Sequence, residues 1–489
     1  MKRARCWLPA LAILWLAFAL RVDGLARFDF WYDEAGQALA AQAEDIRQTL
    51  RVASRDFGSS PLDHLVTRLT VRLVGDSEFG LRFAPAAWNL LTVAVVFACG
   101  EALRRGLGGW AALYTALSPF AVRYAQELRF YALGLLLGSL LIWLAALVAR
   151  GRLRPTAPAW VMTALLAAAA LYTHVYSFLA ALGGLMIIAL AGPRRPDLRR
   201  ATWYGSALLA GLIAFSPWLL GSFNARPHPF GASAFGAQEL RIVLAGFELL
   251  TPTGGMVGAL PAAGYPTAVL GLSVVAILLA LFNARRAPWL PGLVLAVGMG
   301  ALLVIAATLG ARYFFSQRQF LFLLPARALL FGFVLLWLVQ QAGRLGAAAR
   351  WMASALLVVG LAVPARSYIA RDLHHAEPER SRAGAIAAFI AANYDPGRQA
   401  AWFVPSWLSR TVDYYLRRSA RQVRWEKLQR IPPSEEERRA LREAPGGSIV
   451  VLSRGQMNLG GIFEEAGFEM AFPPADQLAE YDLVVFHKR

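Results

Sequence analysis

Apolar runs of membrane-crossing length alternate along residues 7–366 with short loops rich in arginine, and this alternation restricts the chain to a bundle of transmembrane helices. A helix of ~20 apolar residues crosses the hydrocarbon core because it satisfies its own backbone hydrogen bonds there. The runs lie at 7–20, 83–103, 107–119, 130–149, 158–173, 175–191, 203–221, 265–283, 288–309, 320–340 and 351–366, about eleven spans. Arg104 and Arg105, Arg150 with Arg152 and Arg154, Arg194 and Arg195 with Arg199 and Arg200, Arg285 and Arg286, and Arg344 with Arg350 all fall on the same side as Lys2, Arg3 and Arg5. The positive-inside rule assigns that side to the cytoplasm. The first run lacks a convincing small-residue cleavage site, so it reads as an uncleaved span, and an odd span count sends the C-terminus outside.

The net charge of +18 has to be located before it can be interpreted. Residues 1–366 hold 32 Lys and Arg against 15 Asp and Glu, whereas 367–489 hold 17 against 16. The basic excess therefore belongs to the loops between spans. It forms no clustered polar face, so nucleic acid is excluded as a partner and the lipid bilayer takes its place. Cys6 and Cys99 both fall in or beside apolar segments, which leaves the exposed parts no disulfide framework.

Polar residues concentrate in the outer loops: 23–81, 119–129, the corner at His174, 222–264 and 311–319. In the first of these, Gly36–Ala53 and Leu62–Val74 are amphipathic at helical spacing and too charged to span, as expected of helices lying along the interface. Beyond residue 366 short β-prone runs (401–404, 448–452, 483–486) alternate with helical stretches (382–392, 406–417, 434–443), the pattern of a small extracytoplasmic α/β domain. Two domains are expected, 1–366 in the membrane and 367–489 outside it.

Four sets of residues carry candidate chemistry. FDFWYDEAGQALAA at 28–41 places Asp33 and Glu34 behind an aromatic cluster that includes Tyr32, where the chain leaves its first span. Asp33 reads either as a catalytic carboxylate or as the cap of a helix beginning at Glu34. The corner SPFAVRYAQELRFYAL at 118–133 packs Arg123, Gln126, Glu127, Arg129 and Tyr131 at an outer helix end. Charges at membrane depth usually serve a site, although Glu127 and Arg123 also stand at helical pairing distance. ARYFFSQRQFLFLLP at 311–325 adds Arg312 and Arg318, whose guanidinium groups suit a phosphate or else snorkel to the interface. Asp63, His64 and His174 share the outer face. They could bind substrate, pack through hydrogen bonds or hold a divalent metal, but no metal-ligand spacing is present.

In their order, WYDEA, SPLDHLVTRLTVRLVGDSEFGLRF, LSPFAVRYAQELRFYAL, ALYTHVYSF and RQFLFLLPA resemble the bacterial branch of the protein O-mannosyltransferase-like glycosyltransferases, which is similar in turn to the lipid A aminoarabinose transferases. The resemblance runs through most of residues 25–335. It implies the C-type membrane glycosyltransferase fold in a bacterial inner membrane, a polyprenyl-phosphate-linked sugar as donor, a hydroxyl- or phosphate-bearing extracytoplasmic acceptor, and no organic cofactor. By the same resemblance, Asp33 matches the catalytic base and Glu34 its partner. Gln126, Glu127, Arg129 and Tyr131 match the family's QExRxY corner, and Arg318 the arginine that opens its RYxLxxLP-like segment. Where many relatives carry two prolines, this chain has Ser60, Pro61, Leu62, Asp63 and His64, which marks Asp63 and His64 as specificity residues. A flippase for lipid-linked sugars is the rival reading. It would line a central path with charge, whereas here the charged candidates stand at outer span ends.

The topology is testable with single cysteines introduced at Pro196, expected inside, and at Ser381, expected outside. Impermeant maleimide should label them from opposite faces of the membrane, and labelling of both from one face would overturn the topology.

Overall fold

The computed structural model describes residues 7–55, 61–192, 197–222, 234–252, 265–313, 315–368, 382–419, 421–428 and 431–489. Lys2, Arg3, Arg5, Ser60, Arg194 and Arg195 lie outside the described residues. The chain forms two compact units, each assembled from separated stretches. Unit 1 comprises Met1–Asp23, Ile46–Val66 and Arg82–His375, and unit 2 comprises Gly24–Asp45, Thr67–Leu81 and Ala376–Arg489.

Every apolar run of the sequence is helical: Trp7–Val22, Glu78–Leu103, Leu107–Leu117, Tyr131–Ala149, Ala157–Thr173, Phe178–Leu190, Leu198–Ser222, Tyr265–Phe282, Leu290–Gly310, Leu324–Gly343 and Ala347–Tyr368. Among the described residues, 6 helical stretches are long and apolar enough to cross a membrane unaided: Glu78–Leu103, Tyr131–Ala149, Leu198–Gly221, Leu290–Gly310, Gln317–Gly343 and Ala347–Arg366. Backbone punctuation ends one of the shorter runs early. Leu107–Leu117 follows the left-handed Gly106 (φ 82°) and stops at Ser118, whose extended backbone precedes Pro119.

Lipid tails are as apolar as leucine, so these helices associate through close fit rather than through exclusion of water. Ala157–Thr173 packs on Leu198–Ser222, Phe178–Leu190 on Leu290–Gly310, and Leu107–Leu117 on Leu324–Gly343. The helices Glu78–Leu103 and Leu107–Leu117 meet through glycines: a Cβ on Gly100 would lie 2.6 Å from Gly108 Cα. Two buried arginines are fully engaged with backbone carbonyls, hydroxyls and an amide. Arg21 donates to Asn89 Oδ1 (2.8 Å) and to the carbonyls of Ala17, Ala116 and Thr115. Arg327 donates to Tyr114 Oη (3.1 Å), Thr251 Oγ1 (3.0 Å) and Ser273 Oγ (3.4 Å), between the rings of Phe247 and Phe331.

Unit 2 holds a five-stranded sheet in the order β2-β1-β3-β5-β4, with β1 at Ala401–Val404, β2 at Trp425–Glu426, β3 at Ile449–Ser453, β4 at Phe468–Phe472 and β5 at Leu483–Lys488. β1 runs parallel to β2 and β3, while β5 runs antiparallel to β3 and β4. All four residues of β1 are buried, as a central strand covered on both faces requires. The three β-prone runs of the sequence are β1, β3 and β5. β2 and β4 escape notice because both are edges, one two residues long and the other largely exposed. Ser434 caps Glu435–Glu443 reciprocally: its N–H donates to Glu437 Oε2 (2.7 Å) and its Oγ accepts from Glu437 N (3.4 Å).

Unit 2 also takes in 24–45 and 67–81, which the expected division at residue 366 assigns to the membrane domain. The reason is tertiary: Ser409–Arg418 packs on Tyr32–Ala41, and Phe30, fully buried, meets Tyr414 edge-on at 5.1 Å. In the first outer loop the expected amphipathic helix Leu62–Val74 forms as Pro61–Val74, whereas the expected Gly36–Ala53 is interrupted at 42–45 and gives Tyr32–Ala41 and Ile46–Arg55.

In unit 1 the helix Ala237–Leu249 lies on the 3-10 turn Gln317–Leu323, where Gly246 leaves room for Phe320. Glu248, near the C-terminus of that helix, is buried, and its Oε1 has no hydrogen-bond partner among the described residues. Burial pushes its carboxyl up to about 7 from the ordinary 4.5. Because the folded chain holds this proton more tightly than the unfolded chain does, the stabilisation is complete below about 4.5 and is lost as the pH rises through about 7. Glu248→Gln should therefore raise the melting temperature at pH 8 and leave it unchanged near pH 4. Parallel melting curves for the two proteins across that range would show that Glu248 titrates as an exposed carboxyl.

Candidate active site

The two carboxylates belong to unit 2. Trp31, in extended backbone, precedes the helix Tyr32–Ala41, so Tyr32, Asp33 and Glu34 occupy its first three positions. Glu34 is buried and its Oε2 accepts from Trp31 N (3.3 Å), turning back to close the helix end. Asp33 stands half-buried at the second position of the helix. The far end of the helix is closed by Arg68, which donates to the carbonyls of Ala41 (3.2 Å), Ala43 and Glu44 (3.0 Å), a cation at the negative end of the helix dipole. Gln37, also buried, donates to Thr67 Oγ1 at 2.8 Å.

The C-terminal segments of unit 2 grip the strand-like lead into this helix. Phe30 N donates to Tyr415 Oη at 2.7 Å, and Asp29 Oδ2 accepts from Gly384 N at 2.6 Å, capping Ala383–Asn393. Tyr414 donates to the carbonyl of Asp76, and Arg418 pairs with Glu78 at 2.9 Å. Burial pushes the Tyr415 hydroxyl up from its ordinary value, which keeps its proton on. Sequence inspection does not find Tyr415, because its partner lies 385 residues away.

The corner residues belong to unit 1 and come together there. Ser118 caps the short helix Pro119–Ala125, and the turn that follows delivers Gln126, Glu127 and Arg129, all buried, to the start of Tyr131–Ala149. Gln126 Nε2 reaches the carbonyls of Leu20 (3.3 Å), Arg21 (3.3 Å) and Asp23 (2.8 Å), closing the C-terminal end of the first helix. Arg129 lies over the Phe130 ring at 5.1 Å, Arg123 over Tyr124 at 5.5 Å and Arg318 over Tyr131 at 5.9 Å. The Tyr131 hydroxyl lies within charge-interaction range of Glu127, Arg129 and Arg318.

His174 stacks between Phe130 (4.2 Å, 12°) and Phe322 (5.3 Å, 11°), and its Nδ1 accepts from Tyr176 N at 3.2 Å. The stack couples the corner to the Gln317–Leu323 turn, so His174 sets the spacing between the elements that carry Arg129 and Arg318. Gly134 permits this approach, because a Cβ there would stand 2.9 Å from Phe322 and closer still to Ser177. Tyr176 Oη lies 3.0 Å from Thr308 Oγ1, itself 3.3 Å from Gln319 Oε1. Asp63 and His64 are buried in the first turn of Pro61–Val74, within the 46–66 stretch of unit 1. Arg312 is not gathered into the cluster: it is exposed, with a left-handed backbone (φ 47°) in the turn that ends Leu290–Gly310. Among the described residues no three His, Cys, Asp or Glu side chains are placed to hold a metal. Arg327 and Glu248 are absent from the sequence-based candidates. The available signal for Arg327 was a cation inside an apolar run.

Comparison with known proteins follows the same lines. Residues 59–220 match the family model described as dolichyl-phosphate-mannose-protein mannosyltransferase. The fold is similar to that of ArnT from Cupriavidus metallidurans in the apo state, with a TM-score of 0.61 at 15% identity over 99% of this chain and 98% of that one. For ArnT from Cupriavidus metallidurans bound to undecaprenyl phosphate the TM-score is 0.57 at 16% identity, over 98% and 97% of the two chains. The oligosaccharyltransferase of Archaeoglobus fulgidus in complex with Zn and sulfate matches with a TM-score of 0.57 at 11% identity, over 95% of this chain and 72% of that one. No curated protein sequence matches the chain. An alignment that runs nearly end to end in both chains, over a helical membrane unit and a small sheet unit in this one, gives this protein the C-type fold of membrane glycosyltransferases.

Proposed function

We propose that the protein transfers a sugar from a polyprenyl-phosphate donor to a hydroxyl or phosphate of an extracytoplasmic acceptor, with Asp33 as base. The observation that carries this reading is the placement of Asp33, half-buried, in the first turn of Tyr32–Ala41 directly behind the aromatic lead-in Phe30, Trp31 and Tyr32. The donor class is supported by the fold shared with a protein that binds undecaprenyl phosphate and by the mannosyltransferase match. The membrane is taken to be a bacterial inner membrane, with the N-terminus in the cytoplasm and the catalytic face outside.

In the reaction the acceptor oxygen attacks the anomeric carbon and its proton passes to Asp33. The bond from that carbon to the phosphate oxygen breaks, and its electron pair leaves with the polyprenyl phosphate. Attack opposite the leaving group inverts the anomeric centre. A weak base suffices, because the acceptor hydroxyl becomes acidic only as the new bond forms. Arg129 and Arg318 meet the charge that develops on the leaving phosphate, since guanidinium groups remain cationic when buried and present paired donors. Gln126 and His174 hold the corner that carries them. Asp63 and His64 are assigned to acceptor or sugar selection. The step needs no organic cofactor.

Initial transfer rates and lipid-phosphate binding of purified variants test the assignment. Asp33→Asn should cut turnover by ~100- to 10,000-fold, the usual cost of losing a general base, while leaving donor binding and thermal stability intact. Arg129→Ala and Arg318→Ala should in addition raise the donor KM. An Asn variant that remains active would remove Asp33 from the chemistry, because Asn caps a helix as well as Asp does. Wild-type protein that moves labelled lipid-linked sugar between leaflets and never transfers it would favour a flippase instead.

A further inference from the structure

The sheet of unit 2 has an open edge that the transfer reaction, as described, does not use. β1 leaves its carboxyl end through Pro405 and the turn Ser406–Leu408 into Ser409–Arg418 and returns as β2 on one flank. β3, its parallel neighbour, leaves through Arg454–Leu459 into Gly460–Glu465 and continues to β4 and β5 on the other flank. Adjacent parallel strands whose connections depart in opposite directions leave a crevice beyond their carboxyl ends, and that is where open α/β sheets bind ligands.

A second, independent observation falls at the same edge. Trp407, in the turn after β1, is 56% exposed and meets the Tyr32 ring edge-on at 4.9 Å and 82°. Arg410, also exposed, lies over the same Tyr32 ring at 5.3 Å. Tyr32 is the residue before Asp33. An open tryptophan face, a tyrosine and a cation therefore stand next to the assigned base, all within one unit.

We propose that Trp407, Arg410 and Tyr32 form an acceptor subsite for a saccharide at the carboxyl edge of this sheet. Aromatic faces take up the C–H face of a pyranose ring, and a guanidinium donates to its hydroxyls or to an anionic substituent. A protein hydroxyl on a flexible side chain has no flat apolar face to lay against Trp407. The subsite deepens the transferase reading by naming the acceptor class, and it gives the C-terminal segments a binding role beside Asp33.

The test is binding, so it stands apart from catalysis. Immobilised full-length protein in nanodiscs is exposed to fluorescent neutral and anionic oligosaccharides and to Ser- and Thr-containing peptides. Wild type and Asp33→Asn should retain an oligosaccharide equally, Trp407→Ala and Arg410→Gln should weaken it by about tenfold, and Trp407→Phe should restore most of it. Trp407 is exposed, so its replacement should leave the melting temperature unchanged. Retention of no oligosaccharide, equal retention by Trp407→Ala, or retention of peptides alone would overturn the subsite. If Asp33→Asn still transfers sugar while the binding pattern holds, the base assignment fails and the subsite stands.

Discussion

In hydrocarbon no water is at hand to complete a hydrogen bond, and the polar interior of unit 1 is arranged around that constraint. Arg21 would be costly at the end of an apolar helix, yet its guanidinium is absorbed by Asn89 and by carbonyls of a neighbouring helix. Gln126 does the complementary job, donating to carbonyls that the first helix leaves open at its C-terminal end. Arg327 ties four elements together through Tyr114, Thr251, Ser273 and the Phe247 ring. Each of these polar groups fixes the relative position of helices that an apolar interface alone would let slide.

The same fixation holds the corner residues. In the proposed transfer a guanidinium must be held at a defined place to stabilise the leaving phosphate, and the aromatic stack Phe130–His174–Phe322 supplies rigidity there. His174 thus acts on the site through packing. The Gly134 approach makes the stack possible, so a residue with no side chain becomes a determinant of where Arg129 and Arg318 stand.

Unit 2 follows a different logic, since its helix Tyr32–Ala41 is too short and too polar to persist alone. It is stabilised at one end by Glu34, at the other by Arg68, and along its side by Ser409–Arg418. Tyr415 and Asp29 then bind the segment leading into it to the C-terminal part of the chain. The carboxylate of Asp33 is thereby held on an ordered scaffold that includes residues from both ends of the sequence.

Much of this was legible in the sequence because its physical cause is local. The helical character of each apolar run follows from composition and length, and the three inner strands from β-prone runs. The corner at 118–133 announced itself by charges where the membrane penalises them. Tertiary structure alone decided the rest. The turn of Glu34 back onto the Trp31 amide is one such feature, which residue types cannot reveal. Arg312 and Arg318 look alike in one short motif, but only Arg318 faces an aromatic ring of the corner, because the chain turns left-handed at Arg312. The membership of residues 24–45 in the C-terminal unit depends on contacts such as Phe30 with Tyr415, whose sequence separation leaves no local signature, since packing energy is indifferent to distance along the chain.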